Sequence, residues 1–156
     1  MSRNAFIFRL SAAVAAAALA TLSLADEAGL EQLAAARERW LSIQSGDYVY
    51  GYRKYCDCNR DQPPETVVTV ADGRIVSVSH LHEDTATEVP AREGSLDLYW
   101  TIDGLFDKLA AALAGDAVVR VEYEPARGYP TSLYIDYDAA LIGDETDLRL
   151  TRVQIP

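Results

Sequence analysis

The chain has 156 residues, 49% of them hydrophobic, and carries 24 acidic against 14 basic side chains for a formal net charge of −10. That length holds one modest domain with a single core and leaves no room for a second. The acidic balance repels phosphate backbones and anionic lipid, which sets aside nucleic-acid and membrane-surface functions and leaves cations, cationic peptides or basic protein patches as allowed partners.

The first 25 residues read as an export signal. Arg3 and Arg9 supply a positive start, an Ala/Leu/Val stretch runs from Leu10 to Leu24, and Ser23 and Ala25 form a small-residue cleavage pair. The apolar stretch is shorter than the roughly 20 residues a spanning helix needs. Cleavage after Ala25 leaves residues 26–156 as a single domain, periplasmic or secreted, with no stable membrane insertion. It removes two basic residues and no acidic one, so the net charge of the mature chain becomes −12.

Helical spacing of Leu30, Leu33, Trp40 and Leu41 up to Ser45-Gly46 predicts a first helix with its apolar stripe on those four residues. Three strand-like runs follow, Tyr48 to Cys56, Glu65 to Ala71 and Arg74 to Leu81, the last two joined by the hairpin signal Asp72-Gly73. The acidic stretch from Glu83 to Tyr99 reads as a connection. Thr101 then caps a second helix whose apolar face is Ile102, Leu105, Phe106, Leu109 and Leu113, ending at Gly115. The closing strands are Ala117 to Glu124, Thr131 to Tyr137 and Asp147 to Ile155. In the last of these Leu148 and Leu150 are out of phase with Val153 and Ile155, which a bulge near Thr151 would repair. The expected fold is α+β: an antiparallel sheet of about six strands with two helices on one face, helix-then-three-strands arranged twice.

Tyr48-x-Tyr50, Cys56-x-Cys58, Val68-x-Val70 before Asp72-Gly73, Thr101-Ile102-x-x-Leu105-Phe106, Tyr123, Gly128-Tyr129-Pro130, Ile135-Asp136 and Asp144-Glu145 occur in that order. The pattern resembles a family of small exported bacterial domains of unknown function and covers most of residues 36–155. The resemblance implies an exported single domain and carries no activity. Tyr48, Tyr50, Tyr129, Asp144 and Glu145 are the candidate binding surface. His80 and His82 have no place in the pattern.

Cys56 and Cys58 are the only two cysteines. Two residues apart on an extended strand, their Cα atoms stand about 6.6 Å apart, at the upper edge of disulfide range. An exported chain meets an oxidising compartment, so a local disulfide is the leading reading; its loop is so short that it contributes only about 1.6 kcal/mol. Such a bridge fixes a bend before Pro63-Pro64 rather than stapling the fold. A strained bridge is also reducible, which keeps a thiol-disulfide role open.

The metal alternative adds His80 and His82. If Asp72-Gly73 pairs Ala71 with Arg74, Glu65 falls opposite His80; if Cys56 in turn pairs with Glu65, both cysteines and both histidines share a face. Two thiolates and two imidazoles suit zinc or copper. Asp136, Asp138, Asp144, Glu145 and Asp147 gather about one loop, but Ala140 and Leu141 stand where a calcium loop needs a ligand and then glycine. Tyr48, Tyr50, Tyr52 and Tyr55 line an aromatic groove or simply follow strand propensity. No nucleophile elbow or phosphate loop occurs. The function expected is a binding or interaction domain of the cell envelope, for a protein or small ligand, and not an enzyme; no cofactor is required, zinc or copper being the alternative.

One measurement tests the processing and the cysteines together. The intact mass of the exported chain is expected to be that of residues 26–156 less two hydrogens. A chain beginning before Ala18 contradicts the cleavage, and the full complement of thiol hydrogens contradicts the bridge.

Overall fold

The computed structural model describes residues 27–56, 64–82 and 87–156. The cleavage region and Cys58 lie outside the described residues.

Helix α1, residues 27–43, is followed by β1 (Tyr48–Tyr55), β2 (Glu65–Ala71), β3 (Arg74–His82), β4 (Thr87–Pro90), a 3-10 turn at Leu96–Leu98, helix α2 (Ile102–Leu113), β5 (Val118–Tyr123), β6 (Pro130–Asp136) and β7 (Thr146–Gln154). The strands form one seven-stranded sheet in the order β4-β3-β2-β1-β7-β6-β5, and neighbours are antiparallel. The first three strands and the last three are thus two meanders, joined where β1 pairs with β7. The expected sheet of about six strands gains a seventh, β4, inside the stretch read as connection. Its four residues are all exposed and end in proline, so no buried alternation marks it.

Both helices lie on one face. Side chains alternate along a strand, and Tyr48, Tyr50 and Tyr52 of β1, Val68 and Val70 of β2, Leu133 and Ile135 of β6, and Leu148 of β7 point into the core. Trp40 of α1 is fully buried and meets Tyr48 edge-on with ring centroids 5.1 Å apart. From α2, Ile102, Leu105, Phe106 and Leu109 are buried, as the apolar spacing predicts, whereas Ala112 takes the last buried position and the expected Leu113 is only half-buried; Phe106 stacks on Tyr123. Thr101 caps α2 by accepting the Gly104 N–H at 2.9 Å. Arg37 and Asp107, 2.8 Å apart, tie the two helices together.

The buried stripe of α1 is Leu33, Ala36 and Trp40, while Leu30 and Leu41 are exposed. The reason is a close approach at Ala36: a Cβ on Gly128 would collide with the Ala36 carbonyl oxygen, and Gly128 has φ +83°. The small Ala36 and the bare Gly128 let the β5–β6 turn rest directly on α1, and Tyr129 then packs edge-on against Trp40. The peptide bond before Pro130 is trans, as are all those among the described residues.

Three bulges set the registers, each an extra β-branched residue. Val76 is inserted between Ile75, opposite Val70, and Ser77, opposite Thr69. Thr131 separates Pro130, opposite Tyr123, from Ser132, opposite Glu122. Thr151 separates Leu150, opposite Tyr52, from Arg152, opposite Gly51. This last is the bulge expected from the phase break, and it returns Val153 to the core side opposite Tyr50.

Gly128→Ala is expected to lower unfolding free energy by about 2–4 kcal/mol, combining left-handed strain with overpacking against α1. Gly94 has a similar φ of +78° with open space around it, so Gly94→Ala should cost only about 1 kcal/mol. Urea unfolding of both variants reads the difference; equal losses would contradict the close approach.

Candidate functional site

The tyrosines of β1 are internal anchors. Tyr48 and Tyr50 are buried and so leave the candidate binding surface on which the sequence placed them. The Tyr48 hydroxyl accepts the Ile102 N–H at 3.0 Å, satisfying a donor that the start of α2 would otherwise leave orphaned. The Tyr50 hydroxyl donates to the Trp100 carbonyl. Burial pushes the Tyr48 and Tyr52 phenols up to about 12 and that of Tyr50 well above its ordinary value. These groups hold the segment 100–102 onto the sheet and stay neutral.

Tyr52 begins a polar row. It stands opposite Thr66, which stands opposite His80. The Tyr52 hydroxyl bonds to Thr66, the Thr66 Oγ1 lies 3.2 Å from His80 Nδ1, and His80 Nε2 lies 3.2 Å from the Tyr99 hydroxyl. Desolvation, with His82 nearby, holds the His80 imidazole below its ordinary value, so a neutral ring bridges the two hydroxyls. A neutral imidazole has one donor and one acceptor nitrogen, and both are engaged.

This row corrects the register on which the metal alternative depended. The Asp72-Gly73 turn does pair Ala71 with Arg74, but the Val76 bulge then sets His80 opposite Thr66 instead of Glu65. Cys56 is not opposite Glu65 either: Tyr52 takes the row of Thr66 and His80, and Cys56 lies four residues farther along, roughly 13 Å at strand rise. His82 pairs with Thr87 of β4 and is exposed. Among the described residues no group of three or more His, Cys, Asp and Glu could hold a metal ion.

On the face opposite the helices the sheet is not covered by either helix. Tyr55, Asp147, Tyr134 and Arg120 lie side by side across β1, β7, β6 and β5. The Arg149 guanidinium sits 4.8 Å from the Tyr55 ring centroid and that of Arg120 5.1 Å from the Tyr134 centroid. Over this row opens a cleft of about 830 Å³, walled by Lys54, Tyr55, Cys56, Tyr134, Glu145 and Asp147 with Ile142 and Gly143 at its lip. Ile142 is 97% exposed and Leu141 57%, an apolar pair held out at the tip of the β6–β7 loop.

Two of the loop's carboxylates bond its backbone. Asp138 Oδ1 accepts the Ala140 N–H and Glu145 Oε2 the Gly143 N–H, each at 2.9 Å. The cleft therefore joins four residues the sequence singled out, Tyr55, Cys56, Glu145 and Asp147, and adds Tyr134 and Ile142. Tyr134 and Ile142 carried no motif signal; cross-strand register brings Tyr134 to the cleft and the β6–β7 loop brings Ile142. Asp144 is half-buried in the same loop, and Tyr129 lies on the helix side against Trp40.

The chain matches, over residues 32–155, a family of unknown function, DUF6174. No curated protein and no solved structure matches it. Among the described residues no helix is long and apolar enough to cross a membrane.

His80 supplies a pH test. Its value is lowered in the folded state, so the unfolded chain binds the proton more readily and the neutral ring's contribution is complete above the ordinary histidine value near 6.5. That contribution is lost as pH falls through 6.5 toward the folded value. Denaturant unfolding at pH 7.5 and pH 5 should show a larger drop for the native chain than for His80→Gln; equal drops would contradict a neutral bridging ring.

Proposed function

We propose, for a chain that belongs to this family of unknown function, that it is an exported binding domain of the periplasm or extracellular space, whose partner seats in the cleft at the Cys56 end of the helix-free sheet face. One observation carries the reading: the cleft combines two aromatic walls, Tyr55 and Tyr134, with an almost fully exposed isoleucine at its lip. Aromatic walls with a few placed charges, here Lys54, Glu145 and Asp147, are the usual composition of recognition sites. An aliphatic side chain left in water at a loop tip gains most when a partner covers it.

Within this reading Cys56 and Cys58 are bonded to each other. No free cysteine occurs among the described residues, and the chain holds no third cysteine. The bridge fixes the exit of β1 at the cleft wall. Its contribution is local shape, since so short a loop constrains the unfolded chain little.

Site-specific photo-crosslinking in the cell envelope tests the site. A photoreactive residue at position 134 or 142 should give discrete adducts that are absent from position 76, where Val76 is 52% exposed on the distant half of the sheet. Tyr55→Ala should reduce the adduct formed from position 142 by about tenfold or more, the loss expected for an aromatic contact residue worth over 1 kcal/mol. Equal labelling from all three positions would contradict a dedicated site.

A further inference from the structure

The two free edges of the sheet are built differently. β4 has four residues, ends in Pro90 and commits Glu88 to the Ser79 hydroxyl, devices that blunt an edge. β5 has six residues, Val118–Tyr123, and no proline. The Glu122 carbonyl accepts from Thr131 and the Glu124 N–H donates to the Tyr129 carbonyl at 2.8 Å, so the backbone groups of these even-numbered positions face β6. Alternation then turns the N–H and C=O of Val119, Val121 and Tyr123 to the open side. A groove of about 660 Å³ follows this edge, with Leu113, Ala117, Val119 and Val121 toward the helices and Arg120 and Glu122 on the other face.

We propose that this edge pairs, antiparallel, with the β5 edge of a second copy of the chain, about a two-fold axis at Val121. The sequence of the strand is self-complementary in that register. Val121 meets its own equivalent, Val119 meets the second copy's Tyr123, and Arg120 meets the second copy's Glu122. The Val121 contact lies on the axis and each of the other two occurs twice, as two-fold symmetry demands. On the helix side the pairing joins Val119, Val121 and Tyr123 into one apolar row across the axis, and on the other face it forms two opposite-charge cross-strand pairs. The three outward residues exchange about six backbone hydrogen bonds and continue the sheet from seven strands to fourteen. The acidic net charge opposes association over long range, but at physiological ionic strength it is screened beyond about 8 Å, leaving the short-range pairs to decide. The groove shares Tyr134 and Asp147 with the cleft, but the outward backbone groups of β5 and the Arg120–Glu122 pairing lie outside the cleft lining, and self-association reads the edge alone.

Sedimentation equilibrium of the purified chain should show a reversible dimer. Arg120→Glu alone and Glu122→Arg alone each put like charges opposite one another twice, and each should weaken self-association at least about tenfold while leaving the far-UV circular dichroism unchanged. Mixing the two variants restores both charge pairs, so an equimolar mixture should form a heterodimer, identified by native mass spectrometry from its mass. Should a reversal disturb the fold, Arg120→Gln serves in its place and must still weaken the dimer. A monomeric native chain overturns the proposal. So does a dimer indifferent to these changes, or a pair of variants that stay monomeric when mixed.

Discussion

The pairing of β1 with β7 is the constraint on which the other contacts depend. It is the sheet's link between the two meanders, and it must present the core face of both strands to the same pair of helices. A regular ladder would do this for only part of β7. The extra residue at Thr151 solves the problem by shifting phase once, so that Leu150 and Val153 both stand opposite β1 tyrosines. On the reverse face the bulge is held by a compact polar group. Glu65, buried, accepts the Thr151 hydroxyl and faces the Arg152 guanidinium at 3.2 Å, its carboxylate occupying the space above Gly51 that a side chain there would need. The glycine in the middle of a central strand is thus explained by what lies over it, not by a turn.

From that junction the tyrosines of β1 extend the order to the helices. Tyr48 and Tyr50 fix the entry of α2 through its backbone, and Tyr52 reaches through Thr66 and His80 to Tyr99. Three tyrosines, one threonine and one imidazole therefore locate the segment 99–102 relative to the sheet before any packing by α2 itself. Burying this many hydroxyls is tolerable because each has a partner. The cost of removing a partner would be that of an unsatisfied group in the core, larger than the worth of the bond.

Much of the fold could be read from residue spacing, for local reasons. The β2–β3 hairpin lies where Asp72-Gly73 put it because that dipeptide adopts two successive positive φ values, 51° and 71°, the twist a two-residue turn requires. Helix α2 follows its cap and its apolar repeat. What local reasoning could not supply was depth and register. Tyr48 and Tyr50 suit an exposed aromatic surface as well as a buried one, and only the position of α2 decides between them. The Val76 bulge has no signature of its own, yet it moves His80 by one residue, and the β1–β2 register, which sets Tyr52 opposite Thr66, leaves Cys56 four residues from that row. The stripe of α1 shifted to Ala36 because a turn almost a hundred residues away needed a small neighbour. The cleft was half legible: Tyr55, Cys56, Glu145 and Asp147 were singled out separately, while Tyr134 joined them only because Asp147 pairs with Tyr55 on one side and Tyr134 on the other.

The same central pairing bears on the order in which the chain can assemble. Val49 stands opposite Gln154, so the first strand to leave a ribosome or a translocation channel is completed by the last. Until roughly a hundred residues have followed it, β1 can pair on one side alone, with β2, and its tyrosines have neither α2 nor β7 to cover them. Contacts so distant in sequence make closure of the core a late event and place folding among the slower, topology-limited domains. A chain of this design closes its core only once β7 is there to pair with β1.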